Sequence, residues 1–385
     1  MGNETIYDTI VLGAGSMGSA AGYYLAKQGK KVLMLEQFTS PNLMGSHSGE
    51  TRMLRFGYGQ GEKYVQLVKE AFRLWKELEE KSGKTLYYQT GALMAGKPGS
   101  DFVAETIKSS LKNNLPNEEL TAQKVMERWP GIQIPEDYVA CFDPQAGFLL
   151  CEEAIVTFCE EAKKLGADLI ENNPVLNISL DKEIVEVITE KGSFQAKNLI
   201  VTAGAWIPKM LDKLEIPITV LRKTVGWFTP DAEGKFDHGK FPVFVFDTED
   251  GHYYGFPNYR NTGLKIGRHD TGIECTADTA DRVFGSYCED EGDLRGFLSK
   301  YMPDAANELA DGKVGLYSLT PDSDFIIDFH PEYSNVVMAG GFSGHGFKFS
   351  SVVGSILADL SIKKETEHDI SFFGLKRFEK AEIKN

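Results

Sequence analysis

Tyr7-Asp8-Thr9-Ile10-Val11-Leu12-Gly13-Ala14-Gly15-Ser16-Met17-Gly18 runs from a β-rich stretch straight into three glycines spaced G-x-G-x-x-G. A helical pattern follows from about Met17 to Gln28, and Gly29 ends it. Val32-Leu33-Met34-Leu35 is a second buried strand, closed by Glu36. Strand, helix and strand in this order predict a parallel sheet with a crossover helix. Gly13 permits a tight turn, Gly15 lets backbone approach a pyrophosphate, and Gly18 lets helix and strand pack closely. The helix start, at Ser16 and Met17, offers free N–H groups and a positive partial charge to phosphates. Glu36 is placed to accept hydrogen bonds from ribose hydroxyls, and it would repel a 2′-phosphate. The expectation is a bound dinucleotide other than NADP. The motif alone does not choose between NAD and FAD, and a glycine-rich turn with no ligand can carry the same three residues.

Bulk properties narrow the partners. The 385 residues hold 41 Lys and Arg against 56 Asp and Glu, a net charge of −15. Such a chain should repel nucleic acid and anionic membranes, and no basic run breaks the pattern. No apolar stretch is long enough for a membrane span. The N-terminus lacks the basic start and apolar run of a secretion signal. Cys141, Cys151, Cys159, Cys275 and Cys288 are odd in number, widely spaced and without C-x-x-C. Neither a disulfide framework nor a zinc site is expected, and a reducing cytoplasm fits best. His238, His252, His330 and His368 show no ligand spacing, so no metal is predicted.

Beyond the first unit, residues 63–82 show helical periodicity. Residues 86–149 and 221–317 read as strand-rich, and Asp250-Gly251 marks a hairpin. Helical patterns at 152–165 and 349–362 alternate with strands at 168–171, 183–189, 199–202, 325–328 and 336–339, the last two with a parallel-type signal. The fold class expected is α/β plus α+β. A discontinuous Rossmann-like nucleotide-binding domain (1–85, 150–220 and 318–385) is interleaved with an antiparallel-sheet substrate domain (86–149 and 221–317).

Three further motifs select the flavin. They are Gly45-Ser46-His47-Ser48-Gly49-Glu50-Thr51-Arg52-Met53-Leu54-Arg55, Leu199-Ile200-Val201-Thr202-Ala203-Gly204-Ala205-Trp206, and Gly340-Gly341-Phe342-Ser343-Gly344-His345-Gly346-Phe347-Lys348. With the N-terminal glycines and Tyr253-Tyr254-Gly255-Phe256-Pro257, they resemble the monomeric sarcosine oxidase family. That family includes N-methyltryptophan and fructosyl amino acid oxidases. The resemblance spans residues 7 to about 372 in matching order. It implies a D-amino acid oxidase-like fold and a monomer that binds FAD and takes a small amino acid substrate and O2.

The resemblance also implies roles. Arg55 and Lys348 would bind the substrate carboxylate. Tyr254 and Tyr317 would line the pocket, with His269 beside the substrate. Thr51 and Arg52 would lie near the flavin ring, and Lys265 would face it from the other side, supplying positive charge where O2 is reduced. Ser46, Ala203, Gly204, Trp206, Gly344 and Gly346 would contact the cofactor, and His47 and His345 would position their neighbours. Taken singly, a lysine in a strand is usually a solvated face and a lone histidine is usually structural.

Three positions depart from the family. Gly315 stands where a cysteine links FAD covalently, so FAD is expected to be bound non-covalently. Val245 replaces a methionine beside the substrate, a shorter and stiffer side chain. Gln60 replaces an acidic residue after Arg55. The expected reaction is flavin-dependent oxidation of the C–N bond of a small N-methyl amino acid, with peroxide as co-product. The alternatives are a larger secondary amine, a fructosyl amino acid, or NAD-dependent dehydrogenation.

Overall fold

Ile10 and Val11 are fully buried in cores on opposite faces of their strand, β1 (Ile6–Leu12), which also has parallel partners on both edges. A computed structural model describes residues 6–58, 63–211, 213–230 and 234–379; Gln60 lies outside them. Gly13 follows β1 at φ +86, and the helix α1 (Ser16–Lys27) returns the chain to β2 (Val32–Leu35). A Cβ on Gly18 would collide with the Gly13 carbonyl oxygen. The third glycine is therefore required by the packing of helix on strand, as read from sequence. Small residues also let helices close on one another: a Cβ on Gly354 would collide with Ala20.

Among the described residues the strands form three sheets. The eight-stranded sheet runs Val175–Ser179, Val185–Thr189, Gly192–Val201, β1, β2, Asp168–Ile170, with Val336–Gly340 paired to Gly192–Val201 and Ile326–Phe329 beyond it. The nine-stranded sheet takes Ala92–Gly96, Glu118–Thr121 and Val139–Asp143 from one part of the chain and six strands between Thr219 and Leu319 from another. Its two halves meet where Ala92–Gly96 pairs in parallel with Val243–Thr248; every other pairing in it is antiparallel. A three-stranded sheet (Thr51–Leu54, Gly147–Leu150, Tyr87–Gln89) completes the set. The mixed α/β and antiparallel architecture is the one expected.

Two details differ from the sequence reading. Ile326–Phe329 is antiparallel to Val336–Gly340, whereas a parallel signal was read there. The strand-rich stretches also hold helices, Asp101–Lys112, Ala122–Arg128 and Glu289–Tyr301. The last is pinned to the nine-stranded sheet by Arg222, whose Nη1 and Nη2 donate to Asp290 at 2.6 and 2.8 Å. Both side chains are almost wholly buried. Breaking such a pair typically costs about 3–5 kcal/mol, so this contact fixes the helix on its sheet.

Candidate active site

One long cavity connects the ends of the two larger sheets. At one end its wall is Gly13, Gly15, Ser16, Met17 and Glu36. The first turn of α1 has no side-chain cap and no acidic residue, which leaves its N–H groups facing the cavity. Glu36 is buried; its Oε2 accepts from Ala14 N at 2.9 Å and its Oε1 from Phe38 N at 3.0 Å. Each oxygen keeps a lone pair for a ligand hydroxyl. A Cβ on Gly15 would come within 3.4 Å of the His47 ring. His47 is neutral there, since burial pushes its pKa down to about 4. Ala203, Gly204 and Trp206 continue the wall where the Gly192–Val201 strand ends, and the Trp206 indole is fixed by Asp278 at 2.8 Å.

Ser46 and Arg52 occupy the middle of the cavity. Among the described residues Arg52 donates only to backbone carbonyls, those of Thr51, Ser46 and Ser48 at 2.9, 3.0 and 2.7 Å. The loop that carries it is tied down by Glu152, whose Oε1 accepts from Gly49 N and Glu50 N at 2.9 and 3.1 Å.

The far end gathers Arg55, Val245, Tyr254, His269, Tyr317, Gly344, Gly346 and Lys348. A Cβ on Gly344 would run into the Tyr317 ring, and one on Gly346 into Phe342, so both glycines are steric requirements. The Arg55 guanidinium and the Lys348 ammonium both lie over the ring of Tyr58, at 4.7 and 5.2 Å from its centroid. Burial, and then the charge of Arg55, hold Lys348 well below the usual lysine pKa. His269 is pushed down to about 3 by burial, with His252 and Lys223 adding to it, and its Nδ1 lies 3.4 Å from the Tyr317 hydroxyl. Two neighbouring cations, with no carboxylate paired to Lys348 among the described residues, make an anion-seeking pocket. Burying an ion costs several kcal/mol unless a counter-charge arrives.

Lys265 and Thr51 sit together beside the cavity rather than on its wall. The Lys265 ammonium is buried and donates to the Thr51 carbonyl at 2.9 Å, to Thr51 Oγ1 at 3.2 Å and to the Gly49 carbonyl. Its flanks are aromatic, Phe256 at 4.6 Å and Trp227 at 5.3 Å. Burial, and then the charge of Arg52, push its pKa down to about 7. Gly18 and Gly315 also lie off the wall: Gly18 packs helix on strand, and Gly315 pairs with Lys223 in the nine-stranded sheet with nothing near its missing Cβ. Among the described residues, no group of three or more His, Cys, Asp or Glu is placed to hold a metal. No helix among them is long and apolar enough to cross a membrane.

Three buried neighbours escaped the sequence reading. Tyr58 carries two cations, and Trp227 covers Lys265 while its Nε1 donates to Glu50 at 3.2 Å. Lys223 donates to the His269 carbonyl at 3.0 Å. Alternation along Lys223, Val225 and Trp227 places Lys223 on the strand face that carries Trp227, a signal present in the sequence.

The cavity therefore joins an end with a free helix N-terminus and a buried carboxylate to a cationic end, and its residues fit a flavin dinucleotide. The sequence family described as DAO, FAD dependent oxidoreductase, matches residues 8–360. The chain belongs to it. This FAD dependent oxidoreductase is 46% identical over 377 residues to monomeric sarcosine oxidase from Bacillus sp. (strain NS-129), covering 97% of each chain. It is 38% identical over 374 residues to N-methyl-L-tryptophan oxidase from Yersinia pestis (strain Pestoides F), covering 97% of this chain and 99% of that one. In fold it is similar to NikD, an unusual amino acid oxidase essential for nikkomycin biosynthesis, with a TM-score of 0.86 at 23% identity over 96% of this chain and 98% of the other. An FAD-dependent enzyme excludes the NAD-dependent alternative.

Proposed function

We propose that this FAD-dependent enzyme oxidises the C–N bond of a small N-methyl amino acid such as sarcosine, giving an imine and hydrogen peroxide. The observation that carries the reading is the pair of buried cations, Arg55 and Lys348, on one tyrosine ring at the end of the cavity away from Gly13 and Glu36. Arg55 offers two parallel N–H donors to a carboxylate, and Lys348 adds a point charge. Tyr254, Tyr317 and neutral His269 enclose the rest of the substrate. The field that depresses Lys348 also favours loss of the substrate's ammonium proton, freeing the nitrogen lone pair that assists hydride departure. FAD, when bound, supplies the hydride acceptor and passes the electrons on to O2. Lys265 holds positive charge, and Thr51 and Arg52 hold their backbone carbonyls and side chains, at the edge of the cavity where O2 gains charge. Water then hydrolyses the imine, to formaldehyde and glycine if the substrate is sarcosine.

Anaerobic titration with sarcosine tests the substrate. The flavin absorbance should bleach at modest concentration. If dithionite reduces the enzyme and sarcosine does not, the substrate is a larger secondary amine or a fructosyl amino acid. Val245 supports keeping that second reading, because it is short and shares the cavity with Phe102 and His252.

FAD is held without a covalent link in this reading. Gly315 offers no sulfur, and none of the five cysteines lines the cavity. Acid or heat denaturation should release all the flavin into solution; flavin that stays with the precipitated chain would overturn this. Gly315→Cys should fold normally, because the space at that Cβ is open. The protein is proposed to be a cytoplasmic monomer with two interleaved domains, in keeping with its acidic charge and its sarcosine oxidase relatives.

A further inference from the structure

His345 lies behind Lys348, and its hydrogen bonds leave no choice of direction. Its Nε2 is 3.0 Å from the Ser323 carbonyl oxygen, which can only accept. Nε2 therefore carries the proton. Burial, and then the charge of Lys348, hold the ring well below the usual histidine pKa, so it is neutral and Nδ1 is bare. The Tyr58 hydroxyl, 2.8 Å from Nδ1, must donate to it. That leaves the Tyr58 oxygen as an acceptor, and Lys348 Nζ donates to it at 3.3 Å. A second Lys348 N–H goes to the His345 carbonyl at 2.8 Å. An ammonium has three N–H groups. With two committed to one wall, the third remains for a ligand in the cavity that Lys348 lines.

We infer that Tyr58 is a positioning residue of the carboxylate site: its ring seats Arg55 and Lys348 together, and its hydroxyl, locked by His345 and the Ser323 carbonyl, aims the ammonium at the substrate. The inference rests on the reading that Arg55 and Lys348 take the substrate carboxylate. It explains a costly arrangement, since a fully buried tyrosine hydroxyl and a buried lysine each need a partner. Here each satisfies the other. Tyr64, Phe325 and Phe349 wall in the relay: Tyr64 and Phe349 pack on Tyr58, and Phe325 packs on His345.

The test is the dissociation constant of acetate, a carboxylate with no oxidisable C–N bond, for the holoenzyme, read from the flavin absorbance across pH. Tyr58→Phe keeps the ring and removes the hydroxyl. It should weaken acetate about tenfold, as loss of one charge-assisted hydrogen bond does. The alkaline limit of acetate binding should also move to lower pH, because the ammonium form has lost an acceptor. In a Lys348→Met background the same change should have no effect, because Tyr58 acts through Lys348. Unchanged acetate affinity and pH limit in Tyr58→Phe, with Lys348→Met strongly impaired, would overturn the positioning role and leave the carboxylate reading standing. Unchanged affinity in Lys348→Met would remove the carboxylate reading itself. If Tyr58→Phe does not yield folded holoenzyme, His345→Phe keeps a ring against Phe325, removes the acceptor and decides in the same way.

Discussion

Replacing Lys265 with Met should slow consumption of O2 by pre-reduced enzyme by about 10²–10³-fold, the usual cost of removing one preorganised charge partner. Anaerobic reduction by the amine should change only a few-fold. The asymmetry follows from placement. Lys265 lies off the substrate cavity, and its ammonium is held by Thr51 and the Gly49 carbonyl between two aromatic rings. In that dry setting a single charge acts over a low dielectric on an oxygen molecule that becomes anionic, and it has little to do with a neutral amine. Methionine matches the length and apolar packing of the lysine stem and deletes the charge. The wild-type oxygen reaction should also fall as pH rises through the Lys265 pKa of about 7, because only the protonated form helps. That dependence should vanish in the variant. Stopped-flow measurement of the two half-reactions separates the cases, and equal losses in both would remove Lys265 from the oxygen step.

Replacing Arg55 with Met should lower kcat/KM for carboxylate-bearing amines by about 30-fold or more, because losing one partner of a buried charge pair costs about 2–5 kcal/mol. Amines of similar size without a carboxylate should gain or hold steady. Arg55 is buried, its Nη1 donates to the Gly57 carbonyl at 2.7 Å, and rings of Tyr58 and Phe102 flank its guanidinium. The rings fix the plane of the fork, so an incoming carboxylate meets a donor already oriented. A substrate panel read by peroxide release measures the contrast. A similar loss with both classes of amine would point to a collapsed pocket in place of a lost charge.

The nucleotide-binding end of the site was legible because its chemistry is local. Gly13, Gly15, Gly18 and Glu36 fall within one βαβ unit, and each has a physical reason that does not depend on distant residues. The cationic end was not legible in that way. Arg55 and Lys348 stand far apart in the chain, and only the family resemblance joined them. Tyr58 and Trp227 act by touching other side chains, which no local pattern reports. The unread helices have a specific cause. Asp101–Lys112 buries Val103 with Thr106, Ser109 and Ser110 and packs Phe102 and Ile107 at the edge of the core, so polar residues interrupt its apolar period. Glu289–Tyr301 does bury Leu294, Phe297, Leu298 and Tyr301 at helical spacing, but Gly292 and Gly296 interrupt its pattern. Ile326–Phe329 runs against its sequence signal because Phe325-Ile326-Ile327 is buried on both faces, a continuous apolar run usual for parallel strands, although the strand pairs antiparallel at the end of its sheet.

The parallel pairing of Ala92–Gly96 with Val243–Thr248 has a consequence for the order in which the protein comes into being. On the ribosome, the strands near residue 92 emerge long before the partner they need. Gly192–Val201 likewise waits for Val336–Gly340, and α1 for the Ser350–Lys363 helix that packs on it. Long-range closures of this kind are slow, and unpaired edges are exposed meanwhile to neighbouring chains. The last closure delivers Lys348, immediately before that helix. A nascent chain therefore gains the cationic end of its cavity only near the end of synthesis, and a prematurely terminated chain lacks it.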